Sequence, residues 1–303
     1  MCDTKLMKAQ YSLTPNEAKR LIAKAVVQMP EVKKALTKGK IIIKEGSTTS
    51  AIAEELTGMP VSLSGRISPL GAMGSRNMGG RYRVIIDRGE ISKHEFAEDI
   101  AYWAELFPQL GPDDVFITGA NALDPQKRAG IMTGGVTLSP AHLIPAFRAQ
   151  GVNAIIAVGW EKLIPNSIEE AVAAASRTGI DVSLGMPVGI VPLFGTVITE
   201  TDALHILVEG LAITVIGAGG IKGAEGATTF IVESAPAAVQ KTWAIISEVK
   251  GTGMSAEEGT LEDCEPQGEI CKGFIIRGGT HVPKHHSCVY REKDSPNKLF
   301  PLG

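Results

Sequence analysis

The segment around Lys40 constrains the fold more than any other. Lys40-Ile41-Ile42-Ile43 is a short β-branched run, the composition of a strand. Glu45-Gly46-Ser47-Thr48-Thr49 turns the chain at once. Residues 50–56 then place Ile52, Ala53 and Leu56 on one helical face. A strand that passes through a tight turn of small residues into a helix is the repeating unit of α/β proteins. In such proteins, crossover helices join parallel strands.

The rest of the chain repeats the alternation. A helix starts near Leu13, where Thr14 caps, Pro15 fits the first turn and Glu17 completes a capping box. Ala18, Leu21, Ile22, Ala25 and Val26 follow at helical spacing. Strands are predicted over 61–64, 82–86, 115–118 and 153–158, and helices over 94–106, 141–149 and 168–177, with a long glycine-rich loop over 65–80. After about residue 180 the order changes. Strands at 188–191 and 197–199 come in succession, then a helix over 202–209, strands over 212–216 and 228–232, and a helix over 235–249. Two consecutive strands between two helices suggest a split βαβ unit. The expected fold is therefore α/β, a Rossmann-like, mostly parallel sheet over 1–183 with a second, ferredoxin-like α+β lid over 184–250. An irregular C-terminal extension covers 251–303.

Several function classes are excluded at this level. A net charge of −3 offers no electrostatic footprint for nucleic acid. No apolar stretch approaches the ~20 residues that span a membrane, so no membrane partner is expected. The first residues lack an apolar run, so no signal peptide is expected. Four cysteines in 303 residues do not make a disulfide framework, which points to a reducing cytoplasm. A homo-oligomer is the expected assembly.

The chemistry-bearing residues fall at predicted strand ends. Lys44, Glu45, Gly46, Ser47, Thr48 and Thr49 precede a helix whose first N–H groups lack helical partners and carry the positive end of its dipole. The arrangement suits a small anion; a well-capped turn with no ligand would look the same. Thr118, Asn121 and Asp124 follow the 115–118 strand, where open α/β sheets bind ligands. Asp124 precedes Pro125, so an ordinary Asp-Pro turn is the competing reading. Gly134 and Gly135 lie before the 141–149 helix. Glu161, after the 153–158 strand, is a candidate acid–base group, or half of a solvated pair with Lys162. Gly217–226 is glycine-rich, but a strand follows it and its spacing does not match a dinucleotide fingerprint, so a loop of the lid is expected. Cys264, Cys271, His281, His285, His286 and Cys288 fit no standard zinc spacing. No metal and no cofactor are expected.

The strand–Glu-Gly-Ser-Thr-Thr–helix opening, the Gly-Ala-Asn-Ala-Leu-Asp run from Gly119 and the glycine pair before a helix resemble the ribose-5-phosphate isomerase A superfamily. That group includes CoA transferases and the sugar-binding domains of DeoR-type regulators. The resemblance covers about residues 35–250. It implies that Gly46, Ser47 and Thr48 form a phosphate-cradling turn. The isomerase's two motif carboxylates fall on Thr118 and Asn121 here, and its catalytic lysine falls near Met132. Isomerase activity is therefore not expected. The function read from the sequence is binding of a phosphorylated or otherwise anionic small metabolite, by a divergent isomerase or transferase or by a sensor. The alternative is a structural or regulatory subunit with a vestigial crevice. Arg66, Arg76, Arg81 and Arg83 could supply positive charge to the crevice, or stand in solvent.

Overall fold

The computed structural model describes residues 6–63, 65–69, 71–74, 82–95, 99–134 and 143–256. Strand β1 (Met7–Leu13) leads into α1 (Pro15–Val26), and α2 (Pro30–Lys38) follows. The capping box of α1 is formed. The Thr14 hydroxyl accepts from the Glu17 N–H at 3.4 Å, and the Glu17 carboxylate accepts from the Thr14 N–H at 2.8 Å. With that first turn held, Leu21, Ile22, Ala25 and Val26 face the core together, all fully buried.

Next come β2 (Lys40–Ile43) and α3 (Ser47–Thr57), the expected strand–turn–helix. Two hairpins follow: β3 (Gly65–Ser68) with β4 (Gly71–Gly74), and β5 (Tyr82–Asp87) with β6 (Glu90–Glu95). α4 (Asp99–Leu106) leads to β7 (Val115–Gly119), β8 (Ala122–Leu123) and β9 (Ala129–Thr133). α5 (Ile144–Ala149), β10 (Asn153–Ala157) and α6 (Ile168–Ala174) continue the alternation. The remaining elements are β11 (Gly189–Leu193), β12 (Thr196–Ile198), α7 (Glu200–Leu207), β13 (Ala212–Ala218), β14 (Thr228–Ser234) and α8 (Pro236–Val249).

The protein is mixed α/β, built on a six-stranded sheet ordered β12-β10-β7-β2-β5-β6. The first four strands are parallel, and β5 and β6 extend the sheet antiparallel. Both faces are covered, which explains why these strands are continuously apolar rather than alternating. Ile41, Ile43, Ile117, Ile155, Ala157 and Ile198 join a core with residues of α1, α2, α3 and α7. Ile42, Phe116, Ala154, Ile156 and Val158 face the other way, onto Trp103, Leu106, Ile144 and Phe147. Because the four strands are parallel, their carboxyl ends share one edge. Lys44, Thr118, Gly159 and Thr199 stand along it. Among the described residues no helix is long and apolar enough to cross a membrane.

The structure departs from the sequence expectations in several places. Residues 61–63 form no strand; their backbone serves α3 instead. The Val61 N–H donates to Ser50 Oγ at 3.0 Å, and the Ser62 carbonyl accepts from the Gly46 N–H at 3.2 Å. Of the expected 94–106 helix, Asp99–Leu106 is described as helix, and His94 instead pairs with Arg83 in the β5–β6 hairpin. That hairpin turns through Arg88 (φ 47°) and Gly89 (φ 89°), the positive-φ pair that tight two-residue hairpins use. Part of the expected 65–80 loop is the β3–β4 hairpin. No strand is expected before Leu13, yet β1 pairs antiparallel with β14 along its whole length.

The strands expected to build a ferredoxin-like unit over 184–250 are divided among three sheets. β12 adds to the central sheet beside β10, and β11 pairs with β9. β13 and β14 form a third sheet with β1. The expected boundary at residue 183 is thus crossed by three strand pairings. The Cys/His cluster from Cys264 to Cys288 lies outside the described residues.

Candidate functional site at the carboxyl edge of the parallel strands

The turn after β2 is held by its own polar groups. Gly46 has φ 155° and ψ 158°, a region that essentially only glycine enters. The Ser50 N–H makes the first helical bond of α3, to the Gly46 carbonyl at 2.7 Å. The N–H groups of Ser47, Thr48 and Thr49 precede that bond and have no helical acceptor. The hydroxyls divide into two pairs. Thr49 donates to the Gly46 carbonyl at 2.9 Å, and Ser50 accepts from Val61 and meets Ser255 Oγ at 3.0 Å. Ser47 and Thr48 carry no hydroxyl bond among the described residues. Lys44 and Glu45 are both buried. The Lys44 ammonium lies 3.3 Å from the Glu45 carbonyl and 3.8 Å from its carboxylate, so the two charges offset each other.

The residues after β7 are occupied with structure. Thr118 is buried, and its hydroxyl donates to the Gly119 carbonyl at 3.0 Å. Asn121 Oδ1 accepts from the Met132 N–H at 2.9 Å, tying this turn to β9. Asp124 is wholly buried and accepts four bonds, from the N–H groups of Gln126, Arg128 and Ile168 and from the Arg128 guanidinium. Burial pushes its carboxyl up. The Arg128 and Ile168 N–H groups and the guanidinium outweigh that and hold it below the usual carboxylate range. Asp124 organises its turn and is not presented to the crevice. Gly134 is pressed by the Met186 side chain, which fills the space a Cβ would need, and Gly135 lies outside the described residues.

Glu161 has the most open chemistry. It sits in a single 3-10 turn after β10, and its Oε2 is buried with no hydrogen-bond partner among the described residues. Beside it is Glu200, which opens α7 after β12 and is 1 % exposed. The Glu200 carboxyl accepts from the Trp160 N–H, at 3.0 Å to one oxygen and 3.2 Å to the other. Gly159 brings the two carboxyls together. A Cβ there would overlap Glu161 Oε2 and stand 3.1 Å from Glu200 Oε1. Burial, with the Glu161 carboxylate adding to it, raises the Glu200 pKa to about 8, against the opposing N–H groups of Glu200 and Trp160. Glu200 is therefore a buried carboxylic acid beside a second carboxyl, the arrangement that separates an acid from a base.

The chain matches no protein-family model, no curated protein and no solved structure at a significant level.

A further element reaches Glu161. The β13–β14 loop is closed by the Gly219 N–H on the Ala227 carbonyl at 2.7 Å. A Cβ on its Gly226 would stand 3.4 Å from Glu161 Cβ and 3.2 Å from Pro15 Cγ. The loop therefore approaches the pair with Gly226. Lys222 stands in solvent, and Glu225 accepts from the Gly223 N–H at 2.8 Å. Lys19 lies one helical turn beyond Pro15. Burial pushes its ammonium below the usual lysine range; Glu161 pulls it up and Lys162 adds repulsion. Among the sequence-predicted residues, the edge thus brings together Lys44–Thr49 after β2 and Glu161 after β10. Glu200, Lys19, Gly159 and Gly226 come from outside the sequence reading. Glu200 reads from sequence as an ordinary acid in a helix first turn, and Lys19 as the solvated side of an amphipathic helix. Tertiary packing alone gives them their environment.

Proposed function

We propose that the chain binds a small anionic metabolite, phosphorylated at one end, along this edge and acts on the other end by proton transfer through Glu161 and Glu200. The observation that carries the reading is the crowding of two carboxyls over Gly159, one with a buried oxygen that has no partner among the described residues and one buried almost completely. Such a pair is expensive to keep unless one member holds a proton and the other can accept one. The anion would sit on the free N–H groups and hydroxyls of Ser47 and Thr48. Strand spacing is about 4.8 Å, and β10 lies two strands from β2. The two ends are therefore separated by about 10 Å, the length of a small phosphorylated metabolite.

The parallel run β2–β7–β10–β12 supports a Rossmann-like reading of the sheet, with ligand at its carboxyl edge. The resemblance of the Gly46–Thr49 turn to the isomerase phosphate cradle supports the phosphate class. A cytoplasmic homo-oligomer belongs to the same proposal. Val215 and Ile216, exposed on edge strand β13, support the oligomer. A thermal-shift screen of sugar phosphates, nucleotides and CoA esters tests the function, because a ligand stabilises the state it binds. The proposal expects at least one phosphorylated compound to raise the midpoint. If none does, the crevice is vestigial and the chain is a structural or regulatory subunit.

A further inference from the structure

A free sheet edge presents unpaired backbone N–H and C=O groups, and folded proteins blunt such edges with charge, proline or shortness. The edge strands of the three larger sheets follow this rule with one exception. β12 has three residues and β8 has two. β11 contains Pro192, β1 carries Lys8, and β6 carries Glu90, Lys93 and Glu95. β13 has none of these devices. Its seven residues, Ala-Ile-Thr-Val-Ile-Gly-Ala, are uncharged and pair on one side only, with β14. A bulge between Val215 and Gly217 leaves Ile216 without a partner on β14. Val215 is 40 % exposed, Ile216 53 %, and Ile221, just past the strand, 76 %. An uncharged edge of this length, flanked by exposed apolar side chains, is suited to accept a further strand.

We infer that the occupant of this edge is a second copy of the chain, with β13 of one protomer antiparallel to β13 of its partner across a two-fold axis. The inference rests on the homo-oligomer of the proposed function and names the surface that forms it. The three-stranded sheets of two copies would join into one continuous sheet. Pairing β13 with itself sets no like charges opposite one another along its length. The ends of the strand carry the complementarity that favours self-pairing. Glu209 precedes β13 and Lys222 follows it; both are exposed, and neither joins an ion pair among the described residues. Antiparallel order brings the start of one strand to the end of the other. Glu209 then comes to Lys222 of the partner subunit, and the two-fold repeats the contact. Parallel pairing would bring like charges together instead. Lys222 lies in the same loop as Gly226, the residue that approaches Glu161, so the interface and the candidate site share this loop.

The test is light scattering of the full chain after size exclusion, over a concentration series, with hydrogen exchange on the same samples. Wild type should weigh twice the chain mass of 32.0 kDa. Ile216→Lys places two like charges near the axis and should give a monomer with an unchanged circular dichroism spectrum and faster exchange at β13. Glu209→Lys and Lys222→Glu should each weaken the dimer by roughly tenfold, because two exposed pairs turn repulsive. The double exchange of both residues should restore it. A wild-type monomer overturns both this interface and the homo-oligomer. If its β13 amides are protected, the chain's own residues outside the described ones cover the edge; if they exchange freely, the edge is open to a different protein. A dimer as tight in Ile216→Lys as in wild type overturns the interface and leaves the homo-oligomer standing. Charge variants that leave the dimer unchanged, or a double variant that fails to restore it, overturn the antiparallel arrangement.

Discussion

Replacing Glu200 with glutamine should flatten a pH dependence that the folded protein carries. Glu200 titrates near 4.5 when exposed and at about 8 in the fold, where burial and the Glu161 carboxylate resist its ionisation. Between those values the native state holds a proton that the unfolded chain has released. The stabilisation is complete below pH 4.5 and is lost as pH rises through about 8. A shift of that size corresponds to on the order of 5 kcal/mol. Glutamine is nearly isosteric, keeps an oxygen for the Trp160 N–H and does not titrate. Glu17, Asp87, Asp124 and Asp202, all held below the usual range, act with the opposite sign. Their contribution is present above their unfolded pKa values and is lost as pH falls, so it cancels between the two proteins. The assay is urea unfolding of wild type and Glu200→Gln at intervals from about pH 5 to about pH 9. The stability of wild type relative to the variant should fall by several kcal/mol across that window. A difference that stays flat would refute the buried-acid assignment.

Other changes isolate other parts of the edge. Gly159→Ala fits the backbone (φ −81°); its Cβ displaces the flexible end of Glu161 and stands a close 3.1 Å from Glu200 Oε1, so stability should change by no more than about 1 kcal/mol. The pH slope should become shallower, because Glu161 is pushed off Glu200; the same unfolding series reads it. Asp124→Ala should cost about 1–3 kcal/mol in chemical unfolding, since it leaves the buried Ile168 N–H without its acceptor and loosens the Gln126 and Arg128 N–H groups, while Arg128 keeps Glu169, without changing ligand affinity in calorimetry. Ribose 5-phosphate should not be isomerised. Thr118 and Asn121 stand where the resemblance requires carboxylates and are bonded to the Gly119 carbonyl and the Met132 N–H. Turnover near ~10 per second in a coupled assay would contradict this.

The elements legible in the sequence were those whose local signals agree with their tertiary setting. The Thr14–Glu17 capping box and the Lys40–Thr57 strand–turn–helix formed as read, because cap, pattern and burial all favour the same structure. β1 was hidden although Met7, Ala9, Tyr11 and Leu13 alternate, because its partner β14 lies more than 200 residues away and only that pairing makes it a strand. The strands read as a ferredoxin-like unit pair with other parts of the chain for a related reason. Order along the chain shows that strands 188–191 and 197–199 exist, but not that Thr196–Ile198 completes the central sheet beside β10. In the site, Glu161 was legible as an acid at a strand end. Its partner Glu200 was not, because desolvation is a property of the packed edge, and a helix first turn normally exposes its acids.

The central claim is that an anion occupies the amino end of α3. Valine at position 46 resists the backbone region that Gly46 occupies, at a strain of about 1–3 kcal/mol, and its Cβ would stand 3.1 Å from Thr49 Oγ1. The free N–H groups of Ser47 and Thr48 should then lose their alignment. Calorimetry of wild type and Gly46→Val against a panel of phosphorylated metabolites, with circular dichroism to verify the fold, tests this directly. The account predicts that every ligand bound by wild type is lost from the folded variant. Equal affinity for both proteins would place the anion elsewhere and contradict it.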